Sequence, residues 1–157
     1  MLFRSLNSSN VQGVTGVQGI TGVQGLTGLG TTGLQGVTGV PAIHQTIFSM
    51  EGALTVVSNP LRIYNASGIS RTISKVFIAV NTAPTGATAI AVDIHMDGTT
   101  IFTTQSNRPT ITASNFTGVT TTIEVPTWAD GSYLTMNVDA IGSTIAGSNL
   151  TVHVIYS

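Results

Sequence analysis

The sequence predicts an all-β domain, a β-sandwich or a jelly roll, over residues 42–157. Apolar and polar residues alternate with a period of two in several stretches, which is the pattern of strands that bury one face. Turn-forming clusters such as APTG, MDG and WADG separate these stretches, and such spacing is typical of sandwiches and jelly rolls. Threonine and valine, which favour strands, are frequent. No stretch combines a helical period with capping residues, so we expect almost no helix.

The clearest alternation lies in residues 88–96, where the apolar positions share one face of the predicted strand. These positions are Ile90, Val92, Ile94 and Met96. The same pattern recurs in 133–140 and in 149–156. Further candidate strands are 46–50, 54–57, 61–64, 72–80, 100–104, 110–113 and 119–125.

Composition limits the classes of partner. Only 7% of the 157 residues are charged and the formal net charge is -1, so we expect neither nucleic acid nor a membrane as a partner. Cysteine is absent, which excludes a disulfide framework and a thiolate metal site. No apolar run has the length of a signal peptide or a membrane span. We therefore expect a soluble protein.

Residues 13–41 differ from the rest because glycine recurs at every third position, with one residue missing around Leu29. The glycines are Gly13, Gly16, Gly19, Gly22, Gly25, Gly28, Gly30, Gly33, Gly36 and Gly39. A triple helix of polyproline II chains requires this period, because only hydrogen fits where three backbones meet at the axis. The tract therefore predicts a collagen-like stalk in a homotrimer, on the order of 90 Å long. A flexible linker and a β-solenoid or other glycine-rich bundle are the alternatives.

An aliphatic residue follows almost every glycine of this stalk, and no charged residue occurs between Ser5 and Met50. The two non-glycine positions of a triple helix face outward. The aliphatic side chains would therefore form an exposed apolar stripe, which usually marks an interaction surface. We expect the stalk to lie against neighbouring proteins or against its own β-domains.

The residues that could carry chemistry are few. Asp93, His95 and Asp97 alternate along one strand face and could converge on a metal ion. A solvated sheet face explains the same pattern more simply, and Asp97-Gly98 is a natural hairpin turn. We expect no bound metal and no other cofactor. A ring of His95 or His153 side chains on a threefold axis stays open as an ion site.

An enzymatic role is not expected. No Gly-x-Ser-x-Gly elbow is present, and Asp130 and Asp139 adjoin turns or strand ends without an evident carboxylate partner. Trp128, in PTWADG, either stacks on a host sugar or covers the end of a sandwich core. The cations of residues 42–157 are too few for a nucleic-acid footprint. They are Arg62, Arg71, Lys75 and Arg108.

Four Asn-x-Ser/Thr triplets are interpreted as chance occurrences, because no secretory signal precedes them. They begin at Asn7, Asn65, Asn115 and Asn149.

Three stretches together resemble collagen-like virion structural proteins of tailed bacteriophages. They are GVTGVQGITGVQGLTG, TAPTGATAIAVDIHMDGTTIFTTQSNRPTI and WADGSYLTMNVDAIGSTIAGSNLTVHVIY. In that family a short attachment segment and a Gly-x-y stalk carry a β-sandwich or jelly roll in a threefold trimer. Its members serve as head fibres, capsid decoration or tail-fibre components. The resemblance implies a virion location, assembly in the bacterial cytoplasm, and capsid or tail proteins as partners.

The resemblance also implies a division of the chain into residues 1–12 for attachment, 13–41 for the stalk and 42–157 for the β-domain. Attachment would involve the apolar and basic residues Leu2, Phe3, Arg4 and Leu6. One alternative function is a tail-fibre knob that binds a host receptor or glycan, with Trp128 as a possible host contact. Another is a collagen-like filament of a spore surface.

Overall fold

The computed structural model describes residues 43–58 and 60–157, and this part of the chain is all-β. It contains eleven strands and one short 3-10 helix, Gln105–Asn107. The strands are β1 (His44–Ala53), β2 (Val57–Ser58), β3 (Ile63–Tyr64), β4 (Arg71–Ala79), β5 (Ile90–Met96), β6 (Thr99–Thr100), β7 (Thr110–Ile111), β8 (Thr117–Thr120), β9 (Thr127–Trp128), β10 (Tyr133–Ala140) and β11 (Ser148–Tyr156). Among these residues no helix is long and apolar enough to cross a membrane.

The strands form two antiparallel sheets. The first sheet has the order β1-β11-β4-β8, with β9 also on β4, and the second has the order β2-β10-β5-β6, with β3 on β10 and β7 on β5. The pairs β2/β3, β6/β7 and β8/β9 each share one neighbour, so each pair is a single interrupted strand. The first strand then neighbours the last and the second neighbours the last but one, which is the pairing of a jelly roll. The all-β prediction is confirmed.

The core lies between the two sheets. The alternation predicted for 88–96 is present, since Ile90, Val92 and Ile94 are fully buried. The inward positions of β11 are buried in the same way and meet Phe48 of β1 in one apolar cluster. Each large apolar side chain that is removed from water contributes about 1.5–3 kcal/mol. Burial of the inner rows therefore holds the two sheets together.

Several strand boundaries differ from the prediction. β1 continues to Ala53, and Leu54 is buried beyond its end and donates its N–H to the Gly147 carbonyl. The strand predicted over 119–125 lies at Thr117–Thr120 instead, and β9 was not predicted. Threonine-rich stretches have strand propensity throughout, so local sequence does not locate the ends of a strand. Pairing with the neighbouring strand β4 fixes where β8 and β9 begin and end.

Gly118 of β8 lies where the chain has crossed from the second sheet to the first. A Cβ at this position would collide with the Thr110 carbonyl oxygen and would lie 3.2 Å from Ile78 Cγ1. The Thr110 carbonyl belongs to the backbone and cannot rotate away. The approach of β7 to β8 therefore requires glycine here.

We predict that Gly118→Ala lowers the free energy of unfolding by about 1–3 kcal/mol, the usual cost of overpacking. Urea denaturation followed by circular dichroism measures it. The matched control is Thr117→Ala at the neighbouring exposed position, where a change within about 0.5 kcal/mol is expected. Equal stabilities of the two variants would contradict the prediction.

Candidate interaction site

The outer face of the first sheet carries an unbroken row of mostly apolar side chains, called here the apolar row. Backbone pairing aligns Ile47 of β1 with His153, His153 with Phe77 of β4, and Phe77 with Val119 of β8. Ile47 is 46% exposed and Val119 is 57% exposed. The Phe77 and His153 rings meet edge to face, with centroids 5.9 Å apart. A row of this kind crosses the whole sheet from one edge to the other.

An open groove of about 490 Å³ lies beside the apolar row. Its walls include Ile43, Gln45, Lys75, Thr121 and Ile155. Gln45, Ile155 and Lys75 are aligned by the same strand pairing that builds the apolar row. The groove is therefore formed by the next cross-strand row of the same face.

Gln45 connects the groove to the apolar row, because its Oε1 lies 3.2 Å from Nδ1 of His153. This contact orients the imidazole, whose ring also faces Phe77. Lys75 is the one charged side chain among the described residues that line the groove. The groove thus has one charged side chain, and the apolar row beside it has none.

The outer face of the second sheet is polar. Asp93 is buried and accepts a 2.7 Å hydrogen bond from the Thr100 hydroxyl, and its Oδ2 lies 3.5 Å from His95 Nε2. Asn137 Nδ2 lies 3.2 Å from the same His95 nitrogen. Burial raises the pKa of the Asp93 carboxyl, while the hydrogen bond from Thr100 lowers it to a smaller extent. The expectation that Asp93 lies on a solvated face is wrong, because Asp93 is buried and hydrogen-bonded to Thr100 of β6.

The cluster of Asp93, His95, Thr100 and Asn137 lacks the sequence of hydrogen bonds that a nucleophilic triad needs. Such a triad needs a hydroxyl bonded to the imidazole and the imidazole bonded to the carboxylate. Here the Thr100 hydroxyl donates to the carboxylate of Asp93, and His95 contacts Asn137. The arrangement ties the outer residues of β5, β6 and β10 together.

Asp97, the third residue of the possible metal set, does not join Asp93 and His95. Asp97 and Gly98 have φ of 50° and 86° and form the two-residue turn between β5 and β6, as predicted. The Asp97 carboxylate accepts the N–H of Tyr133 at 3.0 Å. Within the described part of the chain no three potential ligands come close enough to hold a metal ion.

Trp128 is only 2% exposed and lies in the core cluster. Its indole N–H donates to the Ser132 carbonyl at 3.1 Å, and its ring meets Tyr156 edge to face at 5.2 Å. A sugar needs an exposed ring face to stack on. The position of Trp128 is that of a core residue, as in the second of the two interpretations above.

Asn65 is the buried centre of the loops around Trp128. It is 3% exposed, and its Nδ2 donates to the carbonyls of Ile69 and Trp128 at 2.8 and 2.9 Å. Its Oδ1 accepts the N–H and the hydroxyl of Ser67. Because the nitrogen and the oxygen of the Asn65 amide are both hydrogen-bonded inside the fold, this amide cannot carry a glycan in the folded protein. These loops border a second, smaller pocket of about 250 Å³ that Arg71 and Tyr64 also line.

The remaining candidates are distributed over the domain. His153 lies in the apolar row, whereas His95 lies on the outer face of the other sheet. Asp130 accepts the N–H of Gly68 at 2.8 Å, and Asp139 pairs with Arg108. The stalk glycines and the attachment residues Leu2, Phe3, Arg4 and Leu6 lie outside the described residues.

Sequence reasoning missed the apolar row, although a signal for it exists. In β4 the residues Val76, Phe77 and Ile78 are consecutive and apolar, which breaks the period of two. Near-continuous apolar strands are typical of sheets with both faces covered. The same break occurs at Ile47-Phe48 and at Val154-Ile155. Both faces of the first sheet are therefore apolar at its centre.

We predict that Asn65→Ala destabilises the fold by about 1–3 kcal/mol, because backbone groups near Trp128 lose their partners. Thermal unfolding measures the loss. The matched control is Asn115→Ala, at an exposed asparagine whose side chain makes a single local hydrogen bond with Thr112. Comparable melting temperatures for the two variants would overturn the structural role of Asn65.

The raised pKa of Asp93 predicts a pH dependence of stability. Its stabilising contribution is fully present below the unfolded pKa of about 3.9 and is lost as the pH rises through the higher folded pKa. Asp93→Asn has no charge to bury and keeps an acceptor for Thr100. From about pH 4 upward the wild type should therefore lose stability relative to the variant. Urea denaturation between about pH 3 and 6 tests this, and parallel curves would contradict it.

The chain matches none of the models of known protein families and none of the curated proteins. Similarity therefore assigns it neither a family nor an activity. The function proposed for it rests on the glycine period of residues 13–41 and on the geometry of the described strands.

Proposed function

We propose that the protein is a non-enzymatic structural component of a phage particle, a homotrimeric fibre or decoration protein. Residues 1–12 attach it to the capsid or tail, residues 13–41 form a triple-helical stalk, and the β-domain is displayed at its end. The observation that carries the proposal is the junction between stalk and domain. The glycine period ends at Gly39 and β1 begins at His44.

The junction tethers the domains closely. An extended chain spans at most about 3.3–3.6 Å per residue, so the chain from Gly39 to His44 can be at most roughly 17 Å long. Three chains that share an axis at Gly39 thus hold three copies of β1 close to that axis. A rigid spacer joined so directly to a β-domain suits a fibre, because the spacer sets the distance between the particle and the domain.

The acidic side chains support a structural role. Five of the six acidic residues accept hydrogen bonds inside the domain. Asp93 accepts a hydrogen bond from Thr100, and Asp97 accepts one from the Tyr133 N–H. Glu124 accepts one from Asn107, and Asp130 accepts one from the Gly68 N–H. Asp139 accepts one from Arg108. A catalytic carboxylate must reach a substrate. These carboxylates instead hold turns and strand edges.

The proposal is tested by measuring the mass of the assembled protein and by substitutions in the proposed stalk. Light scattering of the purified full chain should give three times the chain mass of 16.1 kDa. Gly22→Ala places a methyl group at the crowded axis of the triple helix. This variant should melt at a lower temperature, by circular dichroism in the polyproline II region, and should be depleted from purified particles by mass spectrometry.

The matched control is Thr21→Ala, which changes an outward position of the preceding triplet and should alter neither property. A monomer mass would overturn the trimer and the stalk together. Equal melting temperatures of Gly22→Ala and Thr21→Ala would overturn the triple helix alone. Absence of the trimer from purified particles would overturn the particle role and leave the trimer intact.

A further inference from the structure

We propose that the outer face of the first sheet, with its apolar row and groove, is the surface on which a second copy of this chain packs. This inference rests on the trimer of the proposed function and names the surface through which its β-domains touch. The face presents Phe77 at its centre with Ile47 and Val119 on either side, both about half exposed. Contiguous apolar surface with a central aromatic residue is typical of protein interfaces.

The charges favour an identical partner on this face. Where copies of one chain meet through the same face, every charge on that face is repeated, and like charges brought together cost several kcal/mol. The first sheet brings one charged side chain to this face among the described residues of the row and groove, Lys75 at the groove wall. The second sheet instead carries the partly exposed Asp139–Arg108 ion pair, which a contact there would have to bury. The first sheet is therefore the better surface for contact between copies.

The chain outside the described structure also points to this face. The 42 residues before Ile43 end where β1 begins, and Ile43 and Gln45 themselves line the groove. The segment that precedes Ile43 is therefore connected to a residue of the groove wall. Short tethers raise the effective concentration of linked sites to the order of millimolar. Even a weak contact between these faces is then populated in the trimer.

Labelling of a single cysteine tests the contact, because the natural chain has none. Val119→Cys places a thiol in the apolar row. The matched control Val56→Cys places one at a loop valine of similar exposure, 62% against 57%, next to β2 of the second sheet. In the native full-length protein the Val119→Cys thiol should react with a maleimide at least about tenfold more slowly, as expected of a site that must open first. In urea, which unfolds both variants, the two maleimide labelling rates should agree.

A second substitution separates contact from local rigidity. Ile47→Glu, introduced into the Val119→Cys background, puts a carboxylate into the contact and should restore fast labelling. Thr135→Glu on the outer face of the second sheet should leave labelling slow. Circular dichroism checks that the variants remain folded.

The outcomes are distinguishable. A trimer mass with equal labelling of the two thiols overturns the contact surface and leaves the proposed trimer standing. Slow labelling that Ile47→Glu does not relieve also overturns the contact. A monomer mass overturns the proposed function, and the contact surface with it.

Discussion

The antiparallel pairing of β1 with β11, the first strand with the last, is the constraint on which the rest of the structure depends. It sets Phe48 against Val152 on the inner face and Ile47 against His153 on the outer face. A slip of one residue would exchange the two faces of the strand. The same register therefore produces the buried core and the apolar row. Burial of Phe48 specifies that register, because the alternative would place it in water.

Polar side chains link the loops and turns that lie outside the two sheets. Asn65 joins its own loop, through Ser67 and Ile69, to Trp128 of β9. Asp97 and Asp130 bond backbone N–H groups of segments far away in sequence. Each such bond satisfies a backbone group that would otherwise need water. The few charged residues of this protein are thus largely used within the fold. This use agrees with a protein whose purpose is to hold a shape.

Under the proposed function, two apolar features have one explanation. The aliphatic residues that follow the stalk glycines and the apolar row of the first sheet are surfaces that need a partner. Low charge along both favours close contact between identical chains, since few repeated charges oppose it. A trimer places three copies of each surface near one axis. Assembly then covers apolar area that a single chain leaves exposed.

The sequence alone was sufficient for the all-β class, for the long strands β5, β10 and β11, and for the turn at Asp97-Gly98. These features follow from the alternation of consecutive residues and from local turn chemistry. The extent of β1, the existence of β9 and the burial of Asp93 and Trp128 required the tertiary structure. β1 depends on β11 and β9 on β4, each distant in the chain, and Trp128 packs against Tyr156. Asp93 is seven residues from Thr100, and its hydrogen bond forms because β6 folds back onto β5. The apolar row belongs to this second group, because Ile47, Phe77, Val119 and His153 become neighbours only through the pairing of four strands. Consecutive residues can specify which side chains alternate, but pairing between distant strands specifies which of them share a surface.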